Sequence, residues 1–325
     1  MFPFDKHAKE RIIRIQMNLS PAARASKRAW ERCRDWEGRL SMDYARPTEL
    51  EEALGLLCTK RWTILAGGTD FYPALGAGPM KSDVLDINGL SALQGIHETE
   101  THIVFGARTS WSTVIDAPLP PAFDMLKRAA REVGSVQIQN TGTIAGNLCN
   151  ASPAADGVPP LLALDADVEL RSAEGVRHLP LSAFVLGNRE TARTPEELLT
   201  AIHVPRASSR GASGFVKLGA RRYLVISIAM AAARVVRDGE RIAEAAISVG
   251  SCSAVAQRLS GLEAQLKGAM CADIRRAISD YDFPELSPID DVRGTAAYRV
   301  EAAREIAVRA LEQALDGMDC RGAAA

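Results

Sequence analysis

The residues best suited to chemistry sit in two glycine-containing turns. The first is Leu65-Ala66-Gly67-Gly68-Thr69-Asp70-Phe71, which follows the short apolar segment at residues 62–65. Paired glycines let a backbone come close to a phosphate and aim N–H groups at it. The Thr69 hydroxyl adds a donor. A tight turn between a strand and a helix would use the same residues. The chain has no GxGxxG and no GxxxxGK[ST], so this is neither a Rossmann nor a P-loop signature. The second turn runs through residues 140–156 and contains Thr143, Gly146, Asn147, Ser152 and Asp156. Small and polar residues are dense here, just before the apolar Leu161-Leu162-Ala163-Leu164. A loop without bulky side chains beside a core segment suits a buried polar ligand, whose hydrogen bonds its hydroxyls, amides and Asp156 would satisfy.

Other chemistry has less support. The six cysteines (Cys33, Cys58, Cys149, Cys252, Cys271, Cys320) form no CxxC pair and match no zinc or iron–sulfur spacing. They read as scattered buried thiols of a cytoplasmic protein. His7, His97, His102, His178 and His203 fall on separate segments without metal-ligand spacing. His102 and His203 lie in strand-like runs as packed or exposed structural residues. Nothing points to a hydrolase triad around Ser152 and Asp156. Asp165 and Asp167 read as the start of a hairpin. Arg221-Arg222-Tyr223 reads as a solvated turn, with a nucleotide or partner contact as the alternative.

These residues need elements to hold them. Regular patterning starts at Met42. Pro47-Thr48-Glu49-Leu50-Glu51-Glu52 reads as a helix start with Thr48 at the N-cap and acids in the first turn. Strands are expected at 62–65, 83–87 and 102–105, and a helix at 122–133. A hairpin at 167–180 turns at Ser172 to Gly175. Residues 206–214 are rich in Ser, Gly and Arg and mark a boundary. Strands at 215–218 and 226–236 follow, with a hairpin at Arg237-Asp238-Gly239-Glu240. Helices are expected at 257–267, 272–279 and 295–315, so the C-terminal third is a small sheet covered by helices.

The chain has 325 residues, 47% hydrophobic and 24% charged, enough for two domains. A net charge of −1 gives no electrostatic case for nucleic-acid binding. No run of about 18 apolar residues exists, so no membrane span is expected. The first 41 residues carry a local charge of +5, leaving −6 for the remainder. They read as an appended extension, with a partner-docking arm as the alternative.

Together and in order, these segments resemble a known family. Ala66-Gly67-Gly68-Thr69-Asp70 after a strand, then Thr143-Ile144-Ala145-Gly146-Asn147-Leu148 and Ala151-Ser152-Pro153-Ala154-Ala155-Asp156 about 75 residues later, are similar to the flavoproteins of the xanthine dehydrogenase/carbon monoxide dehydrogenase group. These are the FAD-binding (medium) subunits of molybdenum hydroxylases. The similarity covers nearly all of 42–315. It includes Gly106-Ala107-Arg108-Thr109, residues 197–205, Phe215-Val216-Lys217, Asp291-Val292-Arg293-Gly294 and Ala297-Tyr298-Arg299.

The resemblance implies an α+β fold. A two-lobed FAD-binding domain of the vanillyl-alcohol-oxidase-like (PCMH) type spans 42–210. A smaller C-terminal α+β domain spans 211–325, and 1–41 stand outside. It implies that Leu65 through Phe71 hold the FAD pyrophosphate by backbone N–H groups. Thr143, Gly146 and Asn147 would make the second phosphate-side contact. Ser152 and Asp156 would face the ribityl and adenosine portions, and Val133, Leu199 and Lys217 would line the flavin site. No residue of the chain is expected to be a general acid or base. A cation at Lys217 would favour an anionic reduced flavin. Partners implied are a molybdopterin-binding large subunit and a [2Fe–2S] small subunit in a dimer of heterotrimers, with NAD+, oxygen or another acceptor. The chain departs from the family at Ala145, where Gly-Gly is usual, and at Gln139, where Arg is usual. It lacks the four-cysteine insert of one branch. A stand-alone FAD oxidoreductase of this fold and a flavin-free scaffold subunit are the rival readings.

Overall fold

The computed structural model describes residues 42–322 except 77, 79, 81 and 223, with the side chains of 319–322 also outside the description. Expectations for the extension at 1–41, and for His7, Cys33, Tyr223 and the Cys320 side chain, therefore lie outside the described residues. The chain divides into two compact units, Met1–Ser91 and Ala92–Ala325.

In the first unit, β1 (Tyr44–Ala45), β2 (Thr63–Leu65) and β3 (Val84–Asp86) form a parallel sheet in the order β1-β3-β2. Parallel neighbours need crossovers. The helix α1 (Leu50–Leu57) makes one, burying Ala53, Leu54 and Leu57. Its N-cap is the extended Glu49, without a side-chain cap bond, and not Thr48 as expected. Glu51 and Glu52 in the first turn stabilise the helix start by charge instead. The turn after β2 runs into a short helix, α2 (Phe71–Leu75).

The second unit begins with β4 (Ile96–Glu98) and β5 (His102–Gly106). Five helices follow: α3 (Trp111–Asp116), α4 (Asp124–Glu132), α5 (Val136–Thr141), α6 (Ile144–Asn150) and α7 (Val158–Ala163). Next come β6 (Asp167–Ser172), β7 (Gly175–Pro180), α8 (Leu181–Phe184), the small pair β8 (Val185–Gly187) and β9 (Glu190–Thr191), and β10 (Leu198–Pro205). An antiparallel sheet forms in the order β4-β5-β10-β6-β7. Alternate residues point to opposite faces of a strand. Ile103, Phe105, Val168, Leu170, Ile202 and Val204 all enter one buried core with Phe123, Leu126 and Leu148 from the helices.

A second antiparallel sheet follows: β11 (Ala212–Leu218), β12 (Ala229–Asp238), β13 (Arg241–Gly250) and β14 (Gln257–Arg258). It is buried on both faces, which explains why β12 reads as a continuous apolar run. Met230 and Ala232 join the first core, while Ala229, Ala231, Ala233 and Val235 join a second core with the helices α9 (Ser260–Leu266), α10 (Ile274–Ser279) and α11 (Ala296–Gly322). A Cβ at Gly214 would lie 2.2 Å from the Ala310 carbonyl oxygen, so β11 and α11 approach at backbone distance.

Three expectations change. Residues 257–258 are strand and the helix starts only at Ser260. The segment 206–214 is not a plain linker, because a 3-10 turn fills Arg206–Ser209 and β11 opens at Ala212. The cysteines are not uniformly buried: Cys252 is, Cys271 is half-buried, and Cys58 and Cys149 are exposed. Burial pushes the Cys252 thiol up to about 12, so it is an inert core group. Among the described residues, no helix is long and apolar enough to cross a membrane.

Candidate cofactor site

In the first unit the glycine turn is pinned from behind. The Asn88 side-chain amide donates to the Ala66 carbonyl at 2.8 Å, and the Asn88 N–H donates to Asp86 at 2.8 Å. The Tyr44 hydroxyl donates to the other Asp86 oxygen at 2.5 Å. Burial, with the Asp86 bond adding to it, pushes the Tyr44 phenol up to about 12. Gly68 has φ +72°, a left-handed conformation that a side chain strains. A Cβ there would also meet the Tyr72 ring at 2.7 Å. Leu65 anchors the turn in the core, while Gly67, Gly68, Thr69 and Phe71 are half-buried and Asp70 is exposed.

In the second unit the segment expected to be a loop contains a helix. Thr143 is extended and bridges Ser110, and the Ile144 N–H donates to the Thr109 carbonyl at 2.9 Å. The Thr143 Oγ1 then accepts from the Gly146 N–H at 3.0 Å and caps α6. A Cβ at Gly146 would lie 2.8 Å from that hydroxyl oxygen. The helix stops at Ala151, held at φ +48°. The Asn147 Oδ1 is buried and has no hydrogen-bond partner. A Cβ at Gly157 would fall 2.8 Å from it and 2.5 Å from the Trp111 ring. Ser152 is half-buried, and its hydroxyl accepts from the Ala154 N–H at 3.2 Å.

The two departures from the resembled pattern have local explanations. Ala145 is 5% exposed and packs in the core, so its methyl points inward. The Gln139 amide donates to the Arg131 carbonyl at 3.0 Å, at the end of α4.

Sequence separation hid one feature entirely. Lys217 on β11 donates to Asp156 at 2.8 Å, and the two side chains are 7% and 9% exposed. The Ser227 hydroxyl donates to the other Asp156 oxygen at 3.1 Å. Burial holds the Asp156 carboxyl above the usual carboxylate range, against the opposing pull of Lys217 and Ser227. Lys217 is thus a paired cation, and the pair carries no net charge. Val133 is half-buried at the end of α4, and Leu199 is buried in the core on β10. The histidines are not all isolated either. Strand pairing brings His178 and His203 to Glu169, an arrangement that spacing along the chain did not reveal.

Residues 40–207 match the family described as the FAD binding domain in molybdopterin dehydrogenase, and 215–314 match the CO dehydrogenase flavoprotein C-terminal domain. The chain belongs to this family of FAD-binding subunits. The nicotinate dehydrogenase FAD-subunit of Eubacterium barkeri is 37% identical over 57% of this chain and 66% of the relative. The 6-hydroxypseudooxynicotine dehydrogenase complex subunit alpha of Paenarthrobacter nicotinovorans is 30% identical over 85% and 95%. Among solved structures, reconstituted CO dehydrogenase from Oligotropha carboxidovorans matches with TM-score 0.77 and 28% identity, covering 85% of this chain and 98% of that one. The chain is accordingly an oxidoreductase flavoprotein subunit with a mixed α and β architecture. Its residues suit FAD: the orphaned Asn147 oxygen is an acceptor that a bound donor would satisfy, beside the hydroxyls of Thr143 and Ser152.

Proposed function

We propose that this FAD-binding subunit relays electrons within a molybdenum hydroxylase complex, between a [2Fe–2S] small subunit and a final acceptor, while a molybdopterin-binding large subunit oxidises the substrate. Two of the relatives, a FAD-subunit and a subunit of a dehydrogenase complex, support a multi-subunit setting. When bound, FAD supplies a two-electron store that exchanges single electrons with iron–sulfur clusters and passes a pair to NAD+, oxygen or another acceptor. Assembly as a dimer of heterotrimers is part of the same proposal.

The chain's own residues bind and orient. Backbone N–H groups of Leu65, Ala66, Gly67, Gly68, Thr69, Asp70 and Phe71 would take the pyrophosphate. Thr143, Gly146 and Asn147 would add a second phosphate-side contact, Asn147 donating from its side-chain amide while its Oδ1 accepts from a cofactor hydroxyl, and Ser152 would face the ribityl and adenosine portions. Asp156 and Lys217 would act there as one neutral unit, with Val133 and Leu199 closing the apolar side. Residues 42–210 would form the FAD-binding domain and 211–325 the C-terminal domain. The observation that carries the reading is the buried, unpartnered Asn147 Oδ1 on a helix whose first turn Thr143 caps.

The test is direct. The purified chain should show a flavin absorbance spectrum with about one FAD per chain. Gly67→Leu and Asn147→Leu should each lose FAD while keeping the far-ultraviolet circular dichroism of the parent. A colourless protein that FAD cannot reconstitute, or both variants with full occupancy, would overturn the proposal.

A further inference from the structure

The face of the β4-β5-β10-β6-β7 sheet turned away from the core carries a second constellation. Glu169 on β6 stands directly opposite His178 on β7. His203 on β10 lies diagonally across, because it pairs with Asp167 while Ala201 pairs with Glu169. Residues opposite or diagonal across an antiparallel pair share a face. The register shifts between Leu199 and Ala201, so Thr200 is the extra residue of a bulge. Such a bulge re-aims a side chain, and here the Thr200 hydroxyl donates to the Glu169 Oε1 at 2.6 Å. Arg171 donates to the same oxygen at 2.7 Å.

Those two bonds occupy Oε1 and leave Oε2 facing the imidazoles. The Nε2 atoms of His203 and His178 lie 3.4 and 3.5 Å from it. The His203 Nε2 is buried and lies at ion-pair distance from Oε2 without meeting hydrogen-bond geometry. His203, with Arg171 and Thr200, holds the Glu169 carboxyl far below its usual range. All three ligand atoms lie within 4.8 Å of one another. Ligand atoms set tetrahedrally around zinc at its usual bond lengths are separated by about 3.3 Å. The two distances to Oε2 are close to that spacing. Two imidazoles with one carboxylate favour zinc-class ions over magnesium or calcium. Hydrogen bonds to the non-ligating oxygen are the usual support of a ligating carboxylate. The His178 side chain is 49% exposed, which leaves a side open for water as a further ligand.

We propose that Glu169, His178 and His203 bind one divalent transition-metal ion of the zinc class, tying strands β6, β7 and β10 together on the outer face of the sheet. The role is structural or regulatory and separate from the cofactor residues. It draws on no electron-transfer step.

The full-length chain, loaded with FAD and freed of metal by chelation, is titrated with zinc chloride against a chromophoric chelator. One tight equivalent is expected. His203→Gln and His178→Gln should each weaken it by at least about 100-fold, and Thr200→Val by roughly tenfold. Zinc at about 100 times its Kd should raise the Tm of the parent by roughly 5 °C or more. FAD content should not change in the variants. Cobalt in place of zinc should give a visible absorption band that the His178→Gln/His203→Gln double variant lacks. A parent that takes up no zinc overturns the proposal, as does a double variant with the parent's affinity. If His203→Gln fails to fold, the edge-strand variant His178→Gln decides alone.

Discussion

Replacing Lys217 with Met tests whether the buried pair is one unit. The Lys217 ammonium and the Asp156 carboxylate are 2.8 Å apart and nearly inaccessible to solvent. At an effective dielectric of about 20, charges at that distance attract by about 6 kcal/mol. Burying each ion costs several kcal/mol, so the intact pair roughly breaks even. The raised Asp156 pKa agrees, since burial outweighs the cation. Removing Lys217 alone leaves a buried carboxylate with only the Ser227 hydroxyl, and the expected loss is about 3–5 kcal/mol. The double variant Lys217→Met/Asp156→Asn should recover at least about 2 kcal/mol of that, because no charge is left stranded. Urea denaturation followed by circular dichroism reads both, with an expected fall of roughly 1–2 M in the midpoint of the single variant. The pH dependence carries a definite sign. In Lys217→Met the main influence lowering the Asp156 pKa is gone, so that pKa rises further above its unfolded value. The folded state then holds the proton more tightly than the unfolded state. The resulting stability is fully present below the unfolded carboxylate pKa and is lost as pH climbs through the folded one. The variant's deficit should therefore be smaller at about pH 5 than at about pH 8. A single variant within about 1 kcal/mol of the parent, with additive effects in the cycle, would refute the reasoning.

Gly146→Ala puts a methyl within 2.8 Å of the Thr143 Oγ1. It should cost about 1 kcal/mol through the lost cap and lower FAD occupancy, read by thermal melting and flavin absorbance. Ala145→Gly should behave differently, because that methyl packs inward. A loss of roughly 0.5–1 kcal/mol with unchanged FAD content is expected, and a change in FAD content would place Ala145 at the cofactor.

Legibility in the sequence followed the range of the interactions. The turn after β2 and the hairpins at Ser172 to Gly175 and at Gly239 are written in local residue types, and the structure has them. The composition of 140–156 predicts a loop, whereas Thr143 and the left-handed Ala151 bracket a helix of seven residues within it. A capped turn and a loop draw on the same small polar residues, so composition could not separate them. The Asp156–Lys217 bond spans 61 residues and the Ser227–Asp156 bond 71, distances over which no local pattern carries information.

The same limit acts on β10, where one local irregularity has two consequences. Leu199, a position the resemblance places at the flavin, is buried in the core, while the next residue, Thr200, bonds to Glu169. In a regular strand neighbouring side chains alternate strictly, and a one-residue slip would exchange the faces. The bulge lets Leu199 keep its pairing with Leu170 in the core while Ala201 pairs with Glu169 and the extra residue, Thr200, bonds to the Glu169 side chain. Deleting Thr200 would restore regular pairing and leave the Glu169 Oε1 with Arg171 alone, and it would also shift Leu199 relative to His203. The bulge is thus the point at which a change aimed at the outer histidines would reach the core face. For that reason Thr200→Val, which keeps the bulge and removes only the hydroxyl, is the variant that separates the metal proposal from the cofactor proposal.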